Sequence, residues 1–204
     1  AYKDFSKLVE YVRKLNLDQG VFTNGFLIDR FHNQLLDNFT YVRISLDAGS
    51  DKIHSELHDA PMHHFKKIIK NLELLVKSRK NKSPTIGVQY ATHQRNISDL
   101  KNCVAICKDI GVDYLSIKPV FDRGSVNEKI EKNSLTKHQI EDEVMNLKKL
   151  EDSHFKIFFR EHQFESENVG YNILPYDRCY AGYFGVNVYE NGDITGCGPH
   201  HMNV

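Results

Sequence analysis

The sequence predicts an α/β fold in which helices cover a sheet of parallel strands. Apolar runs of strand length alternate with amphipathic segments, and the spacing between the runs suits helical crossovers. The chain has 204 residues, 40% of them hydrophobic, which suits one globular domain with the start of a second.

The elements follow one another in a regular order along the chain. Residues 5–15 place their apolar side chains on one helical face, and a short buried strand follows and stops at Asn24-Gly25. Pro61 is well placed for the first turn of a long helix. The predicted helices are 5–15, 26–36, 61–80, 97–111 and 136–152, and the predicted strands are 20–25, 41–49, 84–92, 112–120 and 155–164.

The composition of the sequence changes near residue 166, where the alternation of predicted helices and strands stops and Gly, Tyr and Asn become frequent. We therefore expect a domain boundary there, with one domain over 1–165 and the start of another over 166–204. The first predicted element is a helix, although a helix in such a sheet normally follows a strand. We therefore expect the chain to be truncated at its front.

Polar residues lie where successive strands end, at the edge where parallel α/β sheets bind their ligands. They are Thr23, Ser45, Asp47, Gln89 and Lys118. Ser45, Asp47 and Thr23 can accept hydrogen bonds from ribose hydroxyls, and Gln89 can bind an amino acid or an adenine edge. The alternative is local, with Thr23 and Ser45 capping the next helices and Asp47 ending a turn.

Three segments resemble, in order and spacing, the middle of a radical S-adenosylmethionine (SAM) enzyme: GVFTNGFLID, YVRISLDAG and VDYLSIKPV. The resemblance implies a partial (βα) barrel of parallel strands, truncated at its N-terminus. It places Ser45 and Asp47 near the ribose and methionyl part of SAM, with Thr23, Gln89 and Lys118 lining the same cleft.

The family also binds a 4Fe–4S cluster through a C-x3-C-x2-C motif, which this chain lacks. We expect that motif, and the glycine-glycine-glutamate segment that follows it in the family, upstream of Ala1. The chain alone is therefore expected to be inactive. Cys103 and Cys107 do not replace the motif, because they belong to the apolar stripe of a predicted helix and no third cysteine follows.

Cys179 and Cys197 flank a predicted hairpin with the spacing C-x12-G-x4-C. A type I′ turn at Asn191-Gly192 would pair its strands and bring the thiols together. The spacing resembles the start of a SPASM or twitch domain, which implies that both cysteines bind an auxiliary iron–sulfur cluster. Two alternatives are a hairpin with two buried cysteines and a zinc site that adds His200 and His201.

The resemblance implies that the parent enzyme cleaves SAM reductively and that the resulting 5′-deoxyadenosyl radical abstracts hydrogen from a substrate. The substrate would be a peptide, a protein or a small molecule, and flavodoxin or ferredoxin would donate the electron. Acidic and basic residues balance at 27 each and no apolar run is long enough to span a bilayer, so we expect a cytoplasmic protein without nucleic-acid or membrane partners. Two other functions stay open: a zinc-stabilised binding module, and an unrelated βα-barrel lyase with Lys118 as Schiff base.

Overall fold

The computed structural model of this chain describes residues 3–120, 135–165, 178, 180–189 and 191–196. The chain divides into two compact units, Ala1–Glu167 and Asn168–Val204, and each is treated by itself below. Among the described residues, no helix has the length and apolar character that a membrane crossing requires. The identity of the second unit as a SPASM or twitch domain stays a prediction.

The first unit alternates helices with strands along most of its length. Its elements are α1 (Phe5–Lys14), β1 (Gly20–Thr23), α2 (Ile28–Asn38), β2 (Tyr41–Ser45), α3 (Asp51–His58), α4 (His63–Ser78), β3 (Thr85–Thr92), α5 (Leu100–Ile110), β4 (Tyr114–Pro119), α6 (Lys137–Lys148), β5 (Lys156–Phe159) and α7 (Glu161–Glu165).

The five strands of this unit form one parallel sheet. Their order is β1-β2-β3-β4-β5, so each strand lies beside the next one along the chain. Right-handed crossovers between parallel neighbours place the connecting helices on one face of such a sheet. The predicted α/β fold, a partial barrel of parallel strands with helices outside, is confirmed.

The two faces of the sheet differ in character. On the helix-covered face, alternate strand residues are at most 1% exposed and pack with α4, α5 and α6 in one core; they are Val42, Ile44, Ile86, Val88, Leu115, Ile117 and Ile157. The other face, which we call the open face, presents the residues between them. Several of these are exposed, including Phe22, Tyr41 and Phe158. Burial of the first face supplies most of the hydrophobic stabilisation of the sheet.

Cys103 and Cys107 lie on the buried side of α5, as predicted. Both side chains are fully buried, and their sulfur atoms are 4.0 Å apart. The hydrogen bond with Cys107 and burial raise the pKa of Cys103 well above its usual value. A protonated thiol is a poor metal ligand, so this pair serves packing.

The sequence-based prediction missed one helix and placed the end of the last strand too late. Helix α3 was missed, although Ser50 caps it by accepting a hydrogen bond from the Ile53 amide. The last strand was predicted over 155–164 but ends at Phe159, where the chain turns into α7. That turn brings the Phe164 ring within 5.0 Å of the Phe159 ring, so burial of Phe164 replaces the extended conformation.

The second unit contains a short antiparallel hairpin of β6 (Asn187–Val188) and β7 (Ile194–Thr195). The predicted type I′ turn was wrong in register. The Gly192 amide donates to the Tyr189 carbonyl, so Gly192 ends the turn and does not lie at its centre. Gly192 has a φ of 92°, in the left-handed region. A three-residue hairpin loop commonly ends with a glycine in this conformation. Cys179 and Cys197 lie outside the described residues.

Candidate functional site

Strand pairing aligns the side chains of the open face in rows across the sheet. Residues paired on adjacent parallel strands point to the same side. The lower row holds Phe22, Arg43, Gly87, Tyr114 and Lys156; the middle row holds Ser45, Gln89, Ser116 and Phe158; and the upper row holds Ala91 and Lys118. Polar side chains therefore occur in all three rows, and Ser45, Gln89, Ser116 and Lys118 lie in the two rows nearer the carboxyl ends of the strands.

Asp47 follows β2 and points its carboxylate at the upper row. Its Oδ1 accepts a hydrogen bond from the Ala91 amide at 2.7 Å, and its Oδ2 accepts one from the Ser45 hydroxyl at 3.2 Å. Asp47 has a φ of 56°, in the left-handed region where aspartate is tolerated better than most residues. This conformation turns the side chain back over the end of β3.

Buried polar side chains hold the Asp47 loop in place. The amide nitrogen of Asn96 donates to the carbonyls of Asp47 and Ala91, both at 2.9 Å, and Asn96 is 1% exposed. Further along the loop, Asp99 accepts hydrogen bonds from the Gly49 amide at 2.7 Å and from the Ser50 hydroxyl at 2.8 Å. Buried groups satisfied in this way are costly to disrupt, so the loop has little freedom.

Gly49 lets this loop approach α5 closely. A Cβ atom at this position would lie 2.4 Å from the backbone nitrogen of Cys103 and 2.6 Å from the carbonyl oxygen of Asp99. Only glycine fits between the loop and the helix.

His58, at the end of α3, lies against the same carboxylate. Its Nε2 is 3.9 Å from Asp47 Oδ2, and its side chain is 38% exposed against 15% for Asp47. Behind it, the buried His54 ring lies 4.7 Å from the His58 ring. Burial, followed by the charges of His58 and His64, lowers the pKa of His54 to about 4. His54 is thus neutral near pH 7.

The electrostatics of Asp47 combine opposing effects. Burial raises the pKa of this carboxyl above its ordinary value of 3.8. The Ala91 hydrogen bond, the charge of His58, the Ser45 hydrogen bond and the charge of Lys118 act in the other direction. A buried acid surrounded by donors and cations is typical of a ligand-binding position.

Of the five side chains that the sequence places at the strand ends, four lie on the open face. Ser45 and Gln89 are register partners, and Lys118 is close enough to Asp47 to influence its pKa. Thr23 is the exception, because its partner is Ile44 of the helix-covered face. Thr23 accepts a hydrogen bond from the Gly25 amide at 3.1 Å within its own loop, and it does not cap α2, whose N-cap residue is Leu27.

Thr23 borders a groove instead of the open face. The groove has a volume of about 380 Å³ and lies beside β1 among Phe5, Phe26 and Phe31. The expectation that all five residues share one cleft is therefore wrong for Thr23. A role for the other four in binding SAM stays a prediction.

Four residues of this region were not identified from the sequence: His58, Asn96, Asp99 and Arg43. The partners of Asn96 and Asp99 are distant in sequence, since Asn96 contacts Asp47 across 49 positions and Asp99 contacts Gly49 across 50. Only the polar residues near the ends of apolar strands carry a local signal that could have revealed a site.

The described part of the chain does not supply a metal site. It contains no group of three His, Cys, Asp or Glu side chains placed to bind one ion. The zinc alternative for Cys179, Cys197, His200 and His201 concerns residues outside that part.

No protein-family model matches this chain, and no curated protein matches its sequence. Several solved structures match its fold. Streptococcus suis SuiB bound to the precursor peptide SuiA has a TM-score of 0.72 at 16% identity, covering 98% of this chain and 46% of that one. SuiB bound to S-adenosylmethionine has a TM-score of 0.68 at 15% identity, covering 98% and 47%.

A domain of the pyruvate-formate lyase-activating enzyme from Bacteroides vulgatus also matches. Its TM-score is 0.57 at 11% identity, and the match covers 75% of this chain and 87% of that domain. Identities this low show a shared fold alone. The chain spans about half the length of the SuiB chains.

We predict that Asp47→Asn raises the free energy of unfolding at pH 7 relative to wild type. Burial raises the pKa of Asp47 in the folded state, so the protonated carboxyl makes its full contribution to stability below pH 3.8. That contribution is lost as the pH rises through the folded-state pKa of Asp47. Urea unfolding at pH values from 3 to 8 should show that the free energy of unfolding of the variant increases relative to that of wild type as the pH rises. Asp142→Asn, at an exposed position of α6, is the control. A variant that is less stable than wild type at every pH would contradict the prediction.

Proposed function

We propose that this chain is part of a radical SAM enzyme and that the strand ends of its open face bind S-adenosylmethionine. The observation that carries the proposal is the position of Asp47, a buried carboxylate fixed by hydrogen bonds at the edge where parallel α/β sheets bind ligands. Two further facts support it: the resemblance of the SLDAG segment to the family, and the fold shared with SuiB, which was solved with S-adenosylmethionine.

The side chains beside Asp47 suit the parts of a charged nucleoside. The Asp47 carboxylate can accept hydrogen bonds from two adjacent ribose hydroxyls. The Ser45 hydroxyl, which donates to the same carboxylate, lies beside the proposed ribose position. The Gln89 amide can donate and accept on the row below, and the Lys118 ammonium complements a carboxylate of the ligand. When bound, the cofactor supplies the radical that abstracts hydrogen, and the protein positions it and excludes water.

The described residues do not suit the iron–sulfur cluster that the family uses to cleave SAM. Cys103 and Cys107 are buried in the core, burial and the hydrogen bond with Cys107 raise the pKa of Cys103 well above its usual value, and the described part places no third thiol beside them. The cluster, and an electron donor such as flavodoxin or ferredoxin, belong to the proposal through the sequence resemblance alone. No step of the reaction is assigned to them.

We further propose that the substrate is a peptide or protein. The support is that SuiB, with the same fold over 98% of this chain, was solved with a precursor peptide. Small-molecule substrates are the other class open to the family.

We predict that Asp47→Asn weakens S-adenosylmethionine binding by about tenfold, because the neutral amide loses a charge-assisted hydrogen bond to the ribose. Isothermal titration of the full chain with S-adenosylmethionine measures the effect. Asp142→Asn should bind like wild type. The stability gain predicted for Asp47→Asn separates lost binding from lost folding. Equal affinities of Asp47→Asn and wild type would remove Asp47 from the site.

The second unit carries a separate proposal. We propose that residues 166–204 begin an auxiliary-cluster domain in which Cys179 and Cys197 bind iron; the support is the C-x12-G-x4-C spacing together with the β6–β7 hairpin between the two cysteines.

We predict that Cys179→Ala/Cys197→Ala lowers the iron and sulfide content of the full-length protein after anaerobic reconstitution. Cys103→Ala/Cys107→Ala is the matched control, and it should lower stability by about 2 kcal/mol without changing iron. Equal iron in wild type and the Cys179/Cys197 variant would mean that the hairpin holds no cluster. Zinc lost on the same substitution would favour the zinc site instead.

A further inference from the structure

The open face is much more basic than the chain as a whole. Acidic and basic residues balance at 27 each over the full sequence. On the open face, the described strand positions and the residue after β5 contribute Arg43, Lys118, Lys156 and Arg160, whereas the acid at its edge is Asp47, only 15% exposed. This local excess of positive charge favours an anionic occupant.

Arg43 is the centre of the basic region. Its guanidinium lies 3.7 Å from the centroid of the Phe22 ring, so the plane is held at a fixed place on β2. It also lies close to Tyr114: burial raises the pKa of that phenol, and the charges of Arg43 and Arg160 oppose the rise. The two arginines therefore lie on either side of one tyrosine.

Neither guanidinium has a carboxylate partner among the described residues. Arg160 donates from Nε to the Ser116 hydroxyl at 3.4 Å, and Arg43 lies over the Phe22 ring and hydrogen-bonds to the Tyr114 side chain. Elsewhere in the first unit, Arg79, which follows α4, is paired with Asp113, which precedes β4. Guanidinium groups offer five N–H donors in a planar fork that matches a carboxylate, and most of those donors at Arg43 and Arg160 are unused by the described chain.

Exposed aromatic rings surround these arginines. Phe22 is 59% exposed, Phe158 is 48% exposed and Tyr41 is 37% exposed. Arginine with Phe and Tyr is the composition that predominates at the centre of peptide and protein interfaces. Exposed aromatic rings alone would not indicate which kind of partner covers this face. The positive charge of the arginines beside them indicates an anionic partner.

We propose that the open face, from Arg43 to Arg160, binds an acidic segment of a peptide substrate through its glutamate or aspartate carboxylates. The proposal deepens the proposed function and rests on it in one respect, namely that the substrate is a peptide approaching S-adenosylmethionine at the strand ends. Arg43 and Arg160 are the specificity-determining residues. The aromatic rings contact the apolar side chains of the peptide between its acids.

Fluorescence anisotropy of the full chain tests this with three probes: a labelled glutamate-rich peptide, the same peptide with every glutamate replaced by glutamine, and a single-stranded RNA of similar length. We expect the glutamate peptide to bind at least about tenfold more tightly than the glutamine peptide. Arg43→Gln and Arg160→Gln should each weaken it about tenfold, whereas Arg43→Lys, which keeps the charge but not the fork, should weaken it less.

Arg13→Gln is the control, because Arg13 is an exposed residue of α1 paired with Glu10. Circular dichroism checks each variant, and the exposed Arg160→Gln replaces Arg43→Gln if the latter does not fold. Equal affinity for the two peptides, tighter binding of the RNA, or no effect of either arginine variant would overturn the proposal. S-adenosylmethionine titrated without peptide tests the proposed function separately, so each idea can fail alone.

Discussion

The hydrogen bond from the Ala91 amide to the Asp47 carboxylate is the constraint on which the site depends. At 2.7 Å, it joins Asp47, two residues after β2, to Ala91 near the end of β3. It holds Asp47 in a left-handed conformation that would otherwise cost free energy. Asn96 bonds the carbonyls of Asp47 and Ala91, so the two loops behave as one rigid edge.

The same constraint explains why the site can tolerate an unfavourable charge. Burial of the Asp47 carboxylate opposes folding at neutral pH, and the fully buried residues of the helix-covered face offset that cost. Asp99 and Gly49 fix the loop against α5, so ligand binding does not need to order it. A preorganised acid of this kind gives up some stability for affinity, because less conformational freedom is lost on binding.

The sequence predicted much of the fold and part of the site. The five strands were identifiable because their buried residues form apolar runs that glycine or proline interrupts. Asp47, Ser45 and Gln89 were identifiable because each is a polar residue near the end of an apolar strand, where packing alone would favour an apolar side chain. Thr23 was misplaced because a shift of one residue in a strand reverses the face on which every side chain lies, and sequence alone does not give the register of β1.

Other features depend on contacts that no local pattern reports. His58 meets Asp47 because α3 turns back over the strand ends, and Asn96 and Asp99 act across about 50 residues. The charge of the open face was hidden by the balanced composition, because Arg43 and Arg160 lie more than a hundred positions apart. The predicted hairpin register was wrong because the hairpin has a three-residue loop, whereas Asn-Gly favours a two-residue turn.

The most direct test of the account is the amide spectrum of the labelled chain during a titration with S-adenosylmethionine. Asp47 is the proposed acceptor of the ribose hydroxyls, and the Ala91 amide donates to the same carboxylate. We expect the Ala91 and Leu46 resonances to shift and saturate together, while Glu10, on α1 and the helix-covered side, keeps its position. Saturable shifts elsewhere, with Ala91 and Leu46 unmoved, would contradict the account.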